Sequence, residues 1–296
     1  MLRLVKAELY KLFKGRAFKV LCVAAVLIGL MLLGLTKLVS SEDFIRSSLS
    51  GMSTEQQDQY IETLKNASDE STSVINQGSG MGFHINSKDI FNPTAKEIFY
   101  SAFGSGTMEI MMAVLIGAMV AGEYSSGTIK NILAYGKKRE YYYISKLISC
   151  TVGFTIILGI IVSITTVGSC IIFGWGQPFT FIEALGILKV FLGALAVGIG
   201  TTSVLMLIAT LVKSNGSTIG IGIVGMAVLP TVITFLYGKF YWFDKIYEAT
   251  LAYNWSLVTS INSNSSDILK AVAVGLITAV IATAGGITIF KKQDIK

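Results

Sequence analysis

Six stretches of this chain, near residues 20–38, 102–121, 147–173, 187–212, 218–237 and 268–290, are apolar over about 20 residues each, the length an α-helix needs to cross a bilayer. In hydrocarbon each backbone N–H and C=O must be satisfied within the protein, so such runs fold as helices. The expected fold is therefore all-α: a polytopic membrane protein of six transmembrane helices, with residues 1–296 forming one transmembrane domain. Composition agrees, because 14% of the residues are charged where soluble chains carry roughly 25%. The second run is the least regular, with Glu109 inside it and Gly104 and Gly106 at its outer end. Its centre, Ile110 to Val120, still reads as membrane.

Lys and Arg placement sets the expected orientation, since cytoplasmic segments retain positive charge during insertion. With the N-terminus inside, 15 of the 24 cations fall on the inner side, among them Arg3, Lys6, Lys11, Lys14, Lys130, Arg139, Lys146 and Lys213. Both termini are then cytoplasmic. A secretory signal peptide at the start is disfavoured, because the apolar stretch is longer than a typical h-region and no small-x-small cleavage site follows it.

The polar segments carry their own patterns. Within residues 1–16, Leu2, Val5, Leu9, Leu12 and Phe13 share one side of a helix and Arg3, Lys6, Lys11 and Lys14 the other, as in an interfacial helix whose cations meet anionic headgroups. Residues 39–98 form a long acidic outer loop. There Thr54 with Gln57 and Thr94 with Glu97 fit the capping-box spacing, which predicts a helix near 54–66 and a second one running into the next span. Pairs of small residues four apart, Gly117 and Ala121, Ala194 and Gly198, Gly216 and Gly220, permit close helix contact in lipid. Residues 238–267 hold Phe240, Tyr241, Trp242, Phe243, Tyr247, Tyr253 and Trp255, and are expected to lie at or dip into the outer interface, the depth aromatic rings prefer.

No residue set for catalysis is recognisable. A phosphate-binding loop is missing, the nearest approach being Gly122 to Lys130 between two spans, so the chain is not expected to hydrolyse ATP. His84 has no metal ligands at the usual spacing, and Cys22, Cys150 and Cys170 are too scattered for a metal or redox motif. Metal, nucleic acid and bound cofactor are not expected. Glu109 remains as a possible substrate-path residue, because an ionisable group at membrane depth tends to face a cavity or a partner.

Residues 123–146 are a basic amphipathic segment between two spans. Ser125, Ser126 and Thr128 can cap a helix, Ile129, Ile132 and Leu133 then fall on one side, and Gly136 offers a stop before Lys137, Lys138 and Arg139. Glu123, Gly127, Thr128, Ile132, Leu133, Arg139 and Lys146 resemble the first cytoplasmic loop of ABC-2 type permeases. The basic N-terminal helix, six spans, large first outer loop and aromatic segment before the last span are similar too. The chain departs from that pattern at Tyr135-Gly136, where such permeases often place a proline.

The resemblance implies a permease of the bacterial cytoplasmic membrane that pairs with a second permease subunit and receives two copies of a separate ATP-binding subunit, which holds the ATP and magnesium. By carry-over, Ile129, Ile132 and Leu133 would insert into a groove of that ATPase, Glu123 and Lys130 would pair at its rim, and Gly127, Thr128 and Arg139 would shape the coupling segment. The implied cargo is an antimicrobial peptide, a drug or another amphipathic compound. The rival readings are an ion-gradient-driven secondary transporter, which usually shows matched halves, and a non-transporting sensor or scaffold subunit.

Overall fold

The computed structural model describes residues 1–67, 87, 89–104, 106–130 and 138–293. Six of its helices are long and apolar enough to cross a membrane: Arg16–Val39, Thr107–Ser125, Arg139–Phe173, Phe181–Val212, Asn215–Leu236 and Ser265–Lys292. The chain is a multi-pass membrane protein. No strand occurs among the described residues.

Local chemistry starts many of these helices. Thr94 and Glu97 form a reciprocal capping box at the head of Ala95–Ser101, and Asn264 and Asp267 form another ahead of the sixth span. Thr180 accepts from the Glu183 amide where the fourth span begins. The helix expected near 54–66 is Thr54–Ala67, but its reciprocal bonds join Ser53 and Gln56 rather than Thr54 and Gln57. Ala95–Ser101 does not run into the second span as expected. Gly104 and Gly106, at φ 46° and 79°, turn the chain first, a left-handed conformation that glycine adopts without a Cβ clash.

The spans pack through small residues, as helices in lipid must. The fourth and sixth cross so closely that a Cβ on Gly275 would lie 2.6 Å from the Ala196 carbonyl oxygen. The Phe154 ring of the third span fills the space over Gly198. Of the three small pairs, that of Ala194 and Gly198 and that of Gly117 and Ala121 are in the packed interior, whereas Gly216 and Gly220 face open space.

The spans alternate between two ends. At one end lie the N-terminal helix Leu2–Lys14, the start of the third span and the close of the fourth and sixth. There Arg139 Nη1 donates to the carbonyls of Phe290, Lys291 and Gln293 at 2.7–2.9 Å, and Gln293 donates to the Thr210 carbonyl at 2.9 Å. At the other end the Ala95 amide donates to the Gly174 carbonyl at 2.9 Å, and Lys96 pairs with Glu183 at 2.9 Å. The aromatic segment at that end folds as two short helices, Tyr241–Glu248 and Leu251–Val258. The first leaves Tyr241 and Trp242 exposed, while the second buries Trp255 between Phe103 and Phe154.

Candidate functional site

At the basic end of the bundle the structure gathers four charges into one cluster, with Glu8 and Lys146 buried, Glu123 partly covered and Lys11 at the exposed rim. Glu8 on the N-terminal helix and Lys146 on the third span form a direct ion pair, with side chains 2% and 1% exposed. Glu123, from the last turn of the second span, bonds Lys146 at 2.7 Å and Lys11 at 2.9 Å, and Lys11 returns to Glu8 at 2.7 Å. The Tyr142 hydroxyl donates to the second oxygen of Glu123, and its ring lies 5.8 Å from the Lys146 ammonium. Ser149 completes the face by donating to the Glu8 carbonyl at 3.1 Å.

Helical spacing explains how these residues meet. Tyr142, Lys146, Ser149 and Gly153 recur at three- and four-residue steps along the third span, and Leu12 packs against Gly153. Glu123 arrives through a π turn, Gly117–Ala121. One additional residue in a helix rotates everything beyond it by about 100°, and here that rotation bears on the direction of Glu123. Taking a lone charge out of water costs several kcal/mol, of order the whole stability of a small domain. Two acids against two bases offset part of that cost, so long as the pairs stay together.

Burial opposes the charge on Lys11, but its bonds and attraction to Glu8 and Glu123 outweigh this and raise its pKa above the usual 10.5. A raised folded-state pKa stabilises fully below the unfolded value and is lost only as pH rises through the folded one, so the Lys11 contacts hold across neutral pH.

The residues of the basic segment after the second span are divided among different environments. Glu123 is turned into the cluster rather than toward an open rim. Ile129 is 2% exposed within the chain's own core, so it is not available to enter a partner's groove in this conformation. Gly127 takes a left-handed turn at φ 68° between Gly122–Ser125 and the helical residues 128–130. Thr128 and Lys130 are exposed. Ile132, Leu133, Gly136 and Lys137 lie outside the described residues, as does His84. Arg139 serves as an internal cap on the sixth span, a place spacing did not suggest.

The N-terminal helix also differs from its wheel. Arg3, Lys6 and Lys14 are exposed as expected for a surface helix, but Lys11 belongs to the cluster and Leu12 is fully buried in the protein core. Only part of the apolar side, including Leu2 and Phe13, faces outward.

Residues 73–296 match the family described as protein of unknown function (DUF2705). The chain belongs to that family. No curated protein and no solved structure matches it. In this DUF2705 protein the matched region holds all of the second to sixth spans, including Glu123, Tyr142 and Lys146, whereas Glu8 and Lys11 precede it.

Glu8 and Tyr142 are the site residues that sequence reasoning missed. A signal for Glu8 was present, because it is the one acid in the first 41 residues and sits three positions before Lys11. Glu109 lies at the opposite end of the second span from Glu123, is 7% exposed, and its Oε2 has no hydrogen-bond partner among the described residues. No group of His, Cys, Asp and Glu able to hold a metal occurs among the described residues.

Proposed function

We propose that the chain is the membrane subunit of an ATP-driven exporter of the ABC-2 type, oriented with both termini in the cytoplasm of a bacterial cell. The observation that supports this reading is the four-charge cluster, which ties the segment after the second span to the N-terminal helix and to the third span. An outside force applied to residues 122–130 is delivered through Glu123 to Lys146 and Glu8. Three helices then move as one body, because pulling Glu123 or Glu8 away from the buried Lys146 ammonium strands a charge out of water.

In this reading a separate ATP-binding subunit carries ATP and magnesium and presses on the exposed Thr128 and Lys130 and on Ile132 and Leu133. Two permease chains and two ATPase chains make the working unit. The cargo class is an amphipathic compound such as a drug or antimicrobial peptide. Basic residues crowd the same end of the bundle, in keeping with the positive-inside rule.

The test is purification of the tagged chain from its native membrane, a search of what comes with it for an ATP-binding cassette subunit, and ATPase measurement on the complex. Wild type is expected to retain the ATPase and to alter its hydrolysis rate, while Ile132→Asp loses that coupling with the spans still folded. Labelling of Ser126→Cys in intact cells by an impermeant external thiol reagent would sink the assignment.

A further inference from the structure

The N-terminal helix and the first span meet at Gly15, and two cations just beyond this elbow are answered by nothing in the chain. On the N-terminal helix itself, Lys11 is taken up by Glu8 and Glu123. Glu8 and Leu12 mark the side that faces the bundle, while Leu2 and Phe13, 79% and 49% exposed, mark a separate apolar side. Arg3, Tyr10 and Lys14 recur at steps of seven and four residues on a third face, and all three are exposed. Most of this helix's charge is therefore turned away from the apolar side on which it would rest in a membrane.

The first span is arranged differently. Phe18, Leu21, Ala25 and Gly29 form its buried side, with Gly29 against Ile164 of the third span. Opposite them Val20, Val23, Leu27 and Leu30 are 54–66% exposed, and Arg16 and Lys19 head that same stripe at helical spacing. From Val20 to Leu30 the stripe measures about 15 Å at 1.5 Å per residue, the depth of one leaflet of a hydrocarbon core about 30 Å thick. Phe13 and Phe18 meet edge to face with ring centroids 5.8 Å apart, so the N-terminal helix folds toward the buried side of the span and leaves the other side open. Neither Arg16 nor Lys19 forms an ion pair or a side-chain hydrogen bond among the described residues, and no acid stands in the first turn of the span.

We propose that this open side of the elbow is a site for one anionic phospholipid. Its phosphate lies between Arg16 and Lys19, where the guanidinium offers paired donors and the ammonium a point charge. An acyl chain runs down Val20, Val23, Leu27 and Leu30. Two cations at the head of an apolar stripe one leaflet deep complement a negative headgroup carrying a hydrocarbon tail, whereas a free anion would leave the stripe unused. A lipid held there fixes the depth of the first span, and with it the helix that supplies Glu8. The site requires neither ATPase nor cargo; the orientation given above decides only which leaflet supplies the lipid.

The full chain, purified alone, is placed in nanodiscs of phosphatidylcholine with a minor share of phosphatidylglycerol, and the lipid it retains on release is counted by native mass spectrometry. Wild type is expected to keep phosphatidylglycerol in preference to phosphatidylcholine. Arg16→Gln with Lys19→Gln should weaken that retention about thirtyfold, the factor for two cations near a charged surface. Lys138→Gln with Lys292→Gln removes the same charge at the same end of the bundle and should leave retention unchanged, because a diffuse attraction would follow net charge and a site does not. Arg16→Lys with Lys19→Arg keeps both charges and should keep the lipid. No preference in wild type, equal losses in the two glutamine pairs, or loss in the charge-keeping pair would each overturn the site without touching the exporter reading.

A second measurement leaves both cations in place. With Cys22, Cys150 and Cys170 replaced by Ala, a fluorophore on Val23→Cys should be quenched more by spin-labelled phosphatidylglycerol than by spin-labelled phosphatidylcholine. The same fluorophore on Ile281→Cys, 67% exposed on the sixth span, should show no difference. Equal quenching by the two lipids at residue 23 would also overturn the site.

Discussion

Glu123 and Glu109 stand at opposite ends of the same helix, and their surroundings differ completely. Glu123 has Lys146, Lys11 and Tyr142 around it, drawn from two other helices. Glu109 is more deeply buried, yet one of its oxygens bonds nothing. The first carboxylate is therefore part of the architecture, since its partners need it as much as it needs them. Among the described residues the second reaches only the backbone amides of Gly106 and of its own residue at the head of its helix, so no other helix depends on it.

Breaking the paired end gives the largest expected effect. Lys146→Ala removes the buried cation that Glu8 and Glu123 share and leaves both acids only the half-exposed Lys11, and should lower stability by about 3–5 kcal/mol in a denaturant titration of the purified chain. A loss below about 1 kcal/mol would mean that water already reaches the cluster, and that the pairing is worth only what a surface ion pair is worth.

Arg139→Ala comes next. It frees three carbonyls at the close of the sixth span from a charged donor, with an expected loss of about 1.5–3 kcal/mol by the same titration. Faster hydrogen exchange confined to the last turn of that span would locate the effect; uniform change across the bundle would contradict the capping role. Gly127→Ala is smaller, about 1–2 kcal/mol, because a Cβ is disfavoured in the left-handed turn at φ 68°. Its readout is local protease sensitivity after the second span, and an unchanged digestion pattern would argue against the turn.

The smallest effect sharpens the comparison. Glu109→Gln replaces a buried carboxyl that has no counter-ion among the described residues with a neutral amide of the same shape, so stability should change by less than about 1 kcal/mol or rise. A loss as large as that for Lys146→Ala would reveal a hidden partner and erase the contrast between the two ends.

The six spans were legible because each repeats its signal over about 20 residues, and the Thr94 and Glu97 box was legible because all its atoms lie within one turn. The break ahead of the second span was half visible in Gly104 and Gly106, although spacing alone joined the helices across it. The coupling segment was read as an open surface from its cations and caps. Ile129 and Arg139 instead turn inward, since helices far away in sequence offer an apolar pocket to one and unfilled carbonyls to the other.

The sequence by itself determined that this chain lives in a bilayer, how many times it can cross and where its charge collects, because water and hydrocarbon sort residues one segment at a time. Only the tertiary structure decided that Glu8, separated from Lys146 by 138 positions, would be its partner, and that Glu109 would have no cation beside it among the described residues. Pairing of buried charges depends on which helix faces meet and how a π turn rotates them, and that information is shared among segments rather than carried by any one of them.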